Sequence, residues 1–321
     1  MTESVAEFLR GRHDTAFSFE ILPPLRGNSI DGTFANVRRL MEYSPAYVNI
    51  TTHRNEVVYR PAVNGTYVAH SVRKRPGTVA IAALLRERFG LRPVPHIICG
   101  GYSRHEIEDQ LIDLSFLGIT DLLVLRGDSP RNSSVMPKCP EVYSHAHAGS
   151  LARQITDFNQ GILADGSQTP ALDVPFNFGV AGYPEKHEEA MNLQSDIRHL
   201  KEKVEAGASY VVTQMFYDND RYFRFVEACR EAGIDVPVIP GIKPLTSLRQ
   251  LSLLPRVFHI DLPCELSEQL EKCNTDQEVR ELGVEWGTLQ ARELKEAGVP
   301  SIHFYAQHAT DSVARIARNV Y

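Results

Sequence analysis

Cysteines are few in this sequence, and their spacing argues against the two usual structural roles of the residue. The 321 residues include five, at positions 99, 139, 229, 264 and 273, and no two stand in a CxxC arrangement. An odd number without metal-ligand spacing is typical of reduced thiols rather than of a disulfide framework or a zinc site. We therefore expect a cytoplasmic protein, and the sequence predicts no metal site.

Long apolar runs and an excess of basic residues are missing too. No apolar run approaches the ~20 residues that cross a bilayer, and the N-terminal MTESVAEFLRGRH lacks the pattern of a signal peptide. The chain has 34 Lys and Arg against 40 Asp and Glu, whereas a nucleic-acid-binding surface needs a basic excess. We therefore expect neither a membrane nor a nucleic acid as a partner.

The usual nucleotide-binding fingerprints do not occur either. The sequence contains no GxGxxG pattern and no P-loop. Any dinucleotide that binds this chain is therefore expected to do so without a Rossmann unit.

What the sequence does have is a regular alternation of short apolar runs and amphipathic segments. The apolar runs predict strands at residues 17–22, 46–50, 94–98, 121–125, 176–181, 210–213, 236–240 and 301–305. The segments between them predict helices at residues 32–43, 104–117, 148–158, 188–206, 220–232 and 311–319. This order predicts the α/β class and a (β/α)8 TIM-type barrel, with residues 1–321 as one domain.

One segment departs from the alternation. Residues 52–79 contain two alternating runs on either side of Asn64-Gly65, which is a hairpin signal. We therefore expect an inserted hairpin-like segment after the second strand.

The stretch FSFEILPP, residues 17–24, carries a carboxylate in the middle of an apolar strand. A buried charge costs several kcal/mol unless it is paired, neutralised or used. The sequence therefore leaves three interpretations of Glu20. Its side chain faces solvent, forms an ion pair with a core arginine, or takes part in catalysis.

Polar residues follow nearly every predicted strand. Because the C-terminal ends of the strands meet at one rim of such a barrel, these residues are expected to lie together and to form an active site. They are Glu20, Thr51, Thr52, His53, His96, Arg126, Gly127, Asp128, Tyr183, Glu185, His187, Gln214, Gly241, Lys243, His303 and Tyr305. Glu20 and Asp128 form a carboxylate pair that could hold different protonation states. The structural alternatives are a turn at Arg126–Asp128, a core histidine at His96 and a loop-capping Gln214.

Eight short motifs, in order along the chain, resemble the methylenetetrahydrofolate reductase family. They are FSFEILPP, VNITTH, PHIICG, FLGITDLLVLRGD, FGVAGYPEKHEEA, KVEAGASYVVTQMFYD, VPVIPGIKPL and GVPSIHFY. The resemblance implies a barrel that binds FAD non-covalently and reduces 5,10-methylenetetrahydrofolate to 5-methyltetrahydrofolate with NADH or NADPH. It also implies ping-pong kinetics and a homo-oligomer.

The resemblance further implies roles for individual residues. Glu20 matches the catalytic acid that protonates N10 of the folate, and Asp128 matches a catalytic aspartate near the flavin and the pterin. Gln214 and Gln250 match positions that bind the substrate, together with Glu20 and Asp128. The FAD contacts implied by position are Thr51, Thr52, His96, Arg126, Gly127, Asp128, Ala148, Tyr183, His187, Ala190, Asp196 and Lys203.

The chain departs from the family pattern after the eighth strand. Many members carry LNR after HFY, with an arginine that helps to bind folate, whereas this sequence has Ala306-Gln307-His308-Ala309. Arg54 or Lys243 could replace that contact. Two other function classes stay open, namely a flavin-free pterin-binding transferase and a non-catalytic subunit of a redox complex.

Overall fold

The computed structural model describes residues 3–63, 65–127 and 144–321. The strands are β1 (Ala16–Ile21), β2 (Tyr47–Ile50), β3 (Glu56–Pro61), β4 (Tyr67–Val72), β5 (Pro93–Ile98), β6 (Asp121–Leu125), β7 (Asn177–Gly182), β8 (Tyr210–Thr213), β9 (Val238–Ile239), β10 (Gly241–Ile242) and β11 (Ser301–Phe304). The helices are α1 (Val5–Arg10), α2 (Asp31–Met41), α3 (Thr78–Phe89), α4 (Arg104–Phe116), α5 (Ala148–Asn159), α6 (Leu193–Glu205), α7 (Asn219–Glu231), α8 (Gln250–Leu253), α9 (Cys264–Leu270), α10 (Asp276–Glu296) and α11 (Thr310–Val320). A π-helical turn at Leu254–Phe258 follows α8 directly.

Nine strands form one parallel sheet in the order β10-β11-β1-β2-β5-β6-β7-β8-β9. Its two ends, β9 and β10, are consecutive pieces of one segment, and they pair with β8 and β11 respectively. The sheet therefore curves round into a barrel, which confirms the predicted fold class. The single strand predicted at 236–240 is wrong, because Pro240 has no N–H to donate and separates two short strands.

Several helices differ from the sequence prediction. The helix predicted from residue 188 begins at Leu193, where Asn192 caps it by accepting a hydrogen bond from the Ser195 N–H at 2.8 Å. Residues 183–192 are instead a loop above β7. The sequence prediction missed α1, α3, α8, α9 and α10. Within the described residues, no helix is both long and apolar enough to cross a membrane.

Side chains on β1 alternate between the two faces of the sheet. Phe17, Phe19 and Ile21 pack outward into the main core between strands and helices. Burying each of the two phenylalanine rings contributes about 1.5–3 kcal/mol to folding. The same alternation turns Ser18 and Glu20 into the barrel, where the Ser18 hydroxyl lies 3.0 Å from Nδ1 of His303.

Helix α1 covers the N-terminal end of the barrel. Its buried side chains are Val5, Ala6 and Leu9, and they form one cluster with interior residues of six strands. Those interior residues include Ala16, Tyr47, Val94, Leu123, Tyr210, Val212 and Ile239. Because this end is packed, polar chemistry is left to the C-terminal ends of the strands, as in other barrels of this type.

The insertion after β2 forms the expected hairpin. Strands β3 and β4 pair antiparallel as a separate two-stranded sheet, from Glu56 opposite Val72 to Pro61 opposite Tyr67. Asn64 of the hairpin signal lies outside the described residues. The Arg26 N–H donates to the Lys74 carbonyl at 2.8 Å, so the end of the insertion is tied to the loop that follows β1.

Asp121 joins α1 to the barrel and makes stability depend on pH. It is 5% exposed, and its Oδ1 accepts the Val5 N–H at 2.9 Å. Burial raises the pKa of Asp121 to about 6, although the Val5 hydrogen bond and Arg92 oppose this shift. Because an unfolded aspartate has a pKa of about 3.9, the folded chain binds this proton more tightly, and the Asp121 contribution to stability falls as pH rises from about 4 to 6.

We expect Asp121→Asn to remove this contribution, because asparagine keeps the acceptor and does not ionise. Relative to the wild type, the variant should gain up to about 3 kcal/mol in unfolding free energy between pH 4 and pH 7, measured by urea denaturation. Asp113→Asn, at an exposed position on α4, is the control and should show a constant difference. A constant difference for Asp121→Asn as well would contradict this account.

Candidate active site

Glu20 lies inside the barrel near the C-terminal end of β1. Its side chain is 4% exposed, so the solvent-facing alternative is wrong. Oε1 accepts a hydrogen bond from Nε2 of Gln307 at 2.5 Å, and Oε2 lies 3.8 Å from Nε2 of His96. The carboxylate is therefore a buried group on β1, held between His96 of β5 and Gln307 of the loop that follows β11.

Two buried histidines lie in the same interior. Burial lowers the pKa of both His96 and His303 to about 3, so both rings are neutral near pH 7. The Thr52 hydroxyl donates to the His96 carbonyl at 2.6 Å. The two imidazoles, of which His96 lies beside Glu20 and His303 beside Ser18, therefore supply hydrogen-bonding atoms without adding positive charge.

A lysine and a tyrosine complete the surroundings of Glu20. Burial lowers the pKa of Lys243, which follows β10, while the charge of Glu20 raises it. Burial raises the pKa of Tyr305 well above its usual range, with Glu20 adding to the effect, and its hydroxyl donates to the Thr213 carbonyl at 2.6 Å. Glu20 is thus influenced by one cation and one neutral phenol as well as by its two contacts.

Arg126 and Gly127 follow β6 on the same rim. Arg126 forms a 2.5 Å ion pair with Glu189 and lies 3.7 Å from Glu188, both in the loop above β7. Gly127 has a φ of +82°, and a Cβ at this position would meet Ile98 at 3.2 Å. The backbone here therefore requires glycine. Asp128, the second carboxylate of the predicted pair, lies outside the described residues.

A second group of polar side chains runs from the loop above β7 along α6. The rings of Tyr183 and His187 are 4.7 Å apart, and the His187 N–H donates to Oδ2 of Asp196 at 2.8 Å. Lys203 donates to the Ala181 carbonyl at 2.7 Å, and burial lowers its pKa to about 8 although Asp196 opposes the shift. This arrangement brings five of the predicted FAD contacts together, counting Arg126, whose charge also lowers the pKa of His187.

The positions of the remaining predicted site residues do not by themselves indicate a ligand. Ala148 begins α5, and Ala190 is buried in the loop above β7. Oε1 of Gln214 accepts the N–H of Met215 at 3.0 Å, which is the loop-capping alternative. Oε1 of Gln250 accepts the N–H groups of Thr246 and Ser247 at 2.6 and 3.0 Å. Both glutamine carbonyls therefore serve their own loops.

Several buried polar atoms at the mouth of the barrel have no hydrogen-bond partner among the described residues. They are both amide atoms of Asn49, Oγ1 of Thr51 and Nε2 of His96 and His303. Buried polar groups are normally paired, and leaving one unpaired costs about 1–3 kcal/mol. The mouth of the barrel is therefore suited to a ligand that carries both hydrogen-bond donors and acceptors.

A cavity of about 320 Å³ opens beside this mouth. Thr51, Thr52 and His53 line one side, and Arg73 and Arg75 from the insertion line another. The insertion therefore adds positive charge next to the polar residues that follow β2.

Two residues of the site were not singled out from the sequence as contacts of Glu20. Asn49 pairs in register with Glu20, and it could have been found by the same argument, because it too is polar within an apolar strand. Gln307 is 287 residues from Glu20 along the chain. Only the pairing of β1 with β11 brings the two together.

Comparison with known proteins gives a family match over nearly the whole chain. The model of the methylenetetrahydrofolate reductase family matches residues 5–321. The 5,10-methylenetetrahydrofolate reductase of Pectobacterium carotovorum subsp. carotovorum is 30% identical over 306 residues, covering 95% of this chain and 89% of that protein. Methylenetetrahydrofolate reductase (NADH) 1 of Arabidopsis thaliana is 28% identical over 317 residues, covering 95% of this chain and 48% of that protein.

A solved structure has the same architecture. It is an uncharacterized protein from Clostridium thermocellum, described as binding two copies of 5-methyl-5,6,7,8-tetrahydrofolic acid. Its TM-score is 0.54 at 13% identity, covering 97% of this chain and 96% of that one. At this identity the likeness supports the fold alone.

Proposed function

Because this chain belongs to the methylenetetrahydrofolate reductase family, we propose that it reduces 5,10-methylenetetrahydrofolate to 5-methyltetrahydrofolate. The proposal takes residues 1–321 as one catalytic domain that uses NADH or NADPH and non-covalently bound FAD. The observation that carries it is Glu20, a carboxyl group buried at the C-terminal mouth of the barrel among polar atoms that have no partner in the described chain.

The residues present suit FAD. The unpartnered atoms of Asn49, Thr51 and His96 offer the donors and acceptors that the edge of a flavin ring requires. Arg126 and Lys203 would hold the pyrophosphate, and Asp196 would accept from ribose hydroxyls. Thr52, Gly127, Ala148, Tyr183, His187 and Ala190 complete the proposed contacts. When bound, FAD would take a hydride from the pyridine nucleotide and deliver it to the folate, which makes the kinetics ping-pong.

Glu20 is proposed to act as the general acid. Its carboxyl group gives a proton to N10 of the substrate as the bond between N10 and the methylene carbon breaks. The methylene group is then left as an iminium on N5, and this cation accepts the hydride. Burial by itself disfavours the charged form of a carboxyl group, which suits a step in which Glu20 must carry a proton.

Asp128, Gln214 and Gln250 keep the roles that the resemblance implies. Asp128 is proposed as a second catalytic carboxylate, which binds the pterin, and the two glutamines as substrate contacts. Gln214 and Gln250 would use their side-chain amide groups, since their carbonyls accept from N–H groups nearby. The electron donor is proposed as NADH or NADPH, and the name of the Arabidopsis relative specifies NADH for that protein.

Glu20→Gln should separate the two half-reactions. Removing the acid should slow reduction of methylenetetrahydrofolate by about 10²–10⁴-fold, the usual worth of general acid catalysis. Oxidation of NADH, which needs no proton at N10, should change by less than about threefold. The measurement is anaerobic stopped-flow absorbance of each half-reaction. Glu42→Gln, at an exposed position after α2, is the control, and equal losses in both half-reactions with FAD bound would contradict the role of Glu20.

Lys203→Met should weaken FAD binding by about ten- to a hundredfold, because a hydrogen bond to a charged group contributes about 1.5–3 kcal/mol. The dissociation constant can be measured by quenching of flavin fluorescence. Lys201→Met is the matched control, since residues two apart on α6 do not share a face. The melting temperature of the FAD-free variants checks for damage from losing the bond between Lys203 and Ala181. Equal affinities of the two variants would reject Lys203 as a phosphate contact.

A further inference from the structure

The loop after β11 carries Gln307, whose side chain contacts the carboxylate of Glu20. Gln307 is half-buried, and its amide nitrogen donates to Oε1 of Glu20 at 2.5 Å. It stands in the segment Ala306-Gln307-His308-Ala309 between β11 and α11. The contact is made possible by the parallel pairing of β1 with β11, which sets Phe19 opposite Phe304.

The direction in which this contact acts follows from its chemistry. An N–H donor stabilises a carboxylate relative to a carboxylic acid, and so does a nearby cation. Gln307 supplies the donor and Lys243 the cation. Among the described residues near Glu20, His96 is neutral near pH 7, and the Tyr305 hydroxyl donates a hydrogen bond to the Thr213 carbonyl. Gln307 and Lys243 together therefore favour the anion.

The anion is the wrong form for the proposed reaction, which needs a proton on Glu20. Resting on the proposed function, we propose that Gln307 is a positioning residue that holds Glu20 as a carboxylate before folate binds. When folate binds, Gln307 leaves Oε1, the folate takes its place, and Glu20 takes up the proton that it will give to N10. Binding of the substrate and protonation of the acid are thereby coupled.

The loop can make this exchange without disturbing the barrel. Glu20 is fixed on a strand, whereas Gln307 lies in the short turn between β11 and α11, closed by the Ala309 N–H donating to the Ala306 carbonyl at 2.9 Å. A rotation about the side-chain bonds of Gln307 breaks the contact with Glu20 while the turn stays in place. His308, the next residue, is exposed and serves as a control position.

The pH dependence of the folate half-reaction tests this coupling. The alkaline limb of the pH profile of kcat/KM reports protonation in the free enzyme, in which Gln307 contacts Glu20. The alkaline limb of the kcat profile reports protonation in the complex with folate, in which this contact is proposed to be broken. Gln307→Met keeps the length of the side chain and removes the donor. We expect the alkaline limb of kcat/KM to move up by about one pH unit, with a rise of about tenfold above that limb, while the limb of kcat stays in place.

Other outcomes overturn the proposal. If both limbs move together, Gln307 stays on Glu20 in the complex and is not displaced. If neither limb moves, the contact does not govern the protonation of Glu20. His308→Ala should leave both limbs and the NADH half-reaction unchanged, and an equal shift in that variant would assign the effect to the loop rather than to the amide.

Proton uptake on binding gives a second readout that does not depend on turnover. Calorimetric titration of the FAD-loaded chain with 5-methyltetrahydrofolate, in buffers of different ionisation enthalpy at pH 7.5, measures the protons taken up. The wild type should take up more than Gln307→Met, in which Glu20 is protonated more often before binding. Equal uptake would refute the role of Gln307. A wild-type chain that binds this folate but never reduces methylenetetrahydrofolate would reject the proposed function, and this inference with it.

Discussion

The closure of the parallel sheet is the constraint on which the candidate site depends. Pairing of β1 with both β2 and β11 places Glu20 inside the barrel and sets Asn49 beside it. The outward phenylalanines of β1 hold the strand in the core, so the carboxyl group cannot turn to solvent without giving up that packing. A group that burial makes costly is therefore kept at the mouth by the same hydrophobic contacts that stabilise the fold.

The candidate site lowers the stability of the fold, as is common where function and stability compete. Buried polar atoms of Asn49, Thr51 and two histidines have no hydrogen-bond partner among the described residues, and each lowers stability until something pairs with it. The N-terminal end is instead filled by apolar side chains, among them Val5, Ala6 and Leu9 of α1. The N-terminal end therefore serves mainly the stability of the barrel, whereas the unpartnered atoms lie at the mouth where ligands are proposed to bind.

Much of the fold and part of the candidate site could be predicted from the sequence. The spacing of apolar residues and the polar residues that follow each strand are local features of the sequence. The stretch FSFEIL was predicted as a strand with a carboxylate within it, and the hairpin was visible in its turn residues. The split at Pro240 and the late start of α6 at Leu193 depend on hydrogen bonds that a pattern of hydrophobicity does not record. The contact between Glu20 and Gln307 joins the two ends of the chain, so it required the closed barrel.

The central claim, that this barrel carries reducing equivalents from a pyridine nucleotide to folate, is tested most directly by anaerobic absorbance of the FAD-loaded chain. The account predicts that the flavin absorbance disappears on adding NADH or NADPH and returns on adding 5,10-methylenetetrahydrofolate, with 5-methyltetrahydrofolate formed in equal amount. A chain that binds the folate but takes up no FAD, or one whose flavin absorbance does not return with the folate, would contradict it.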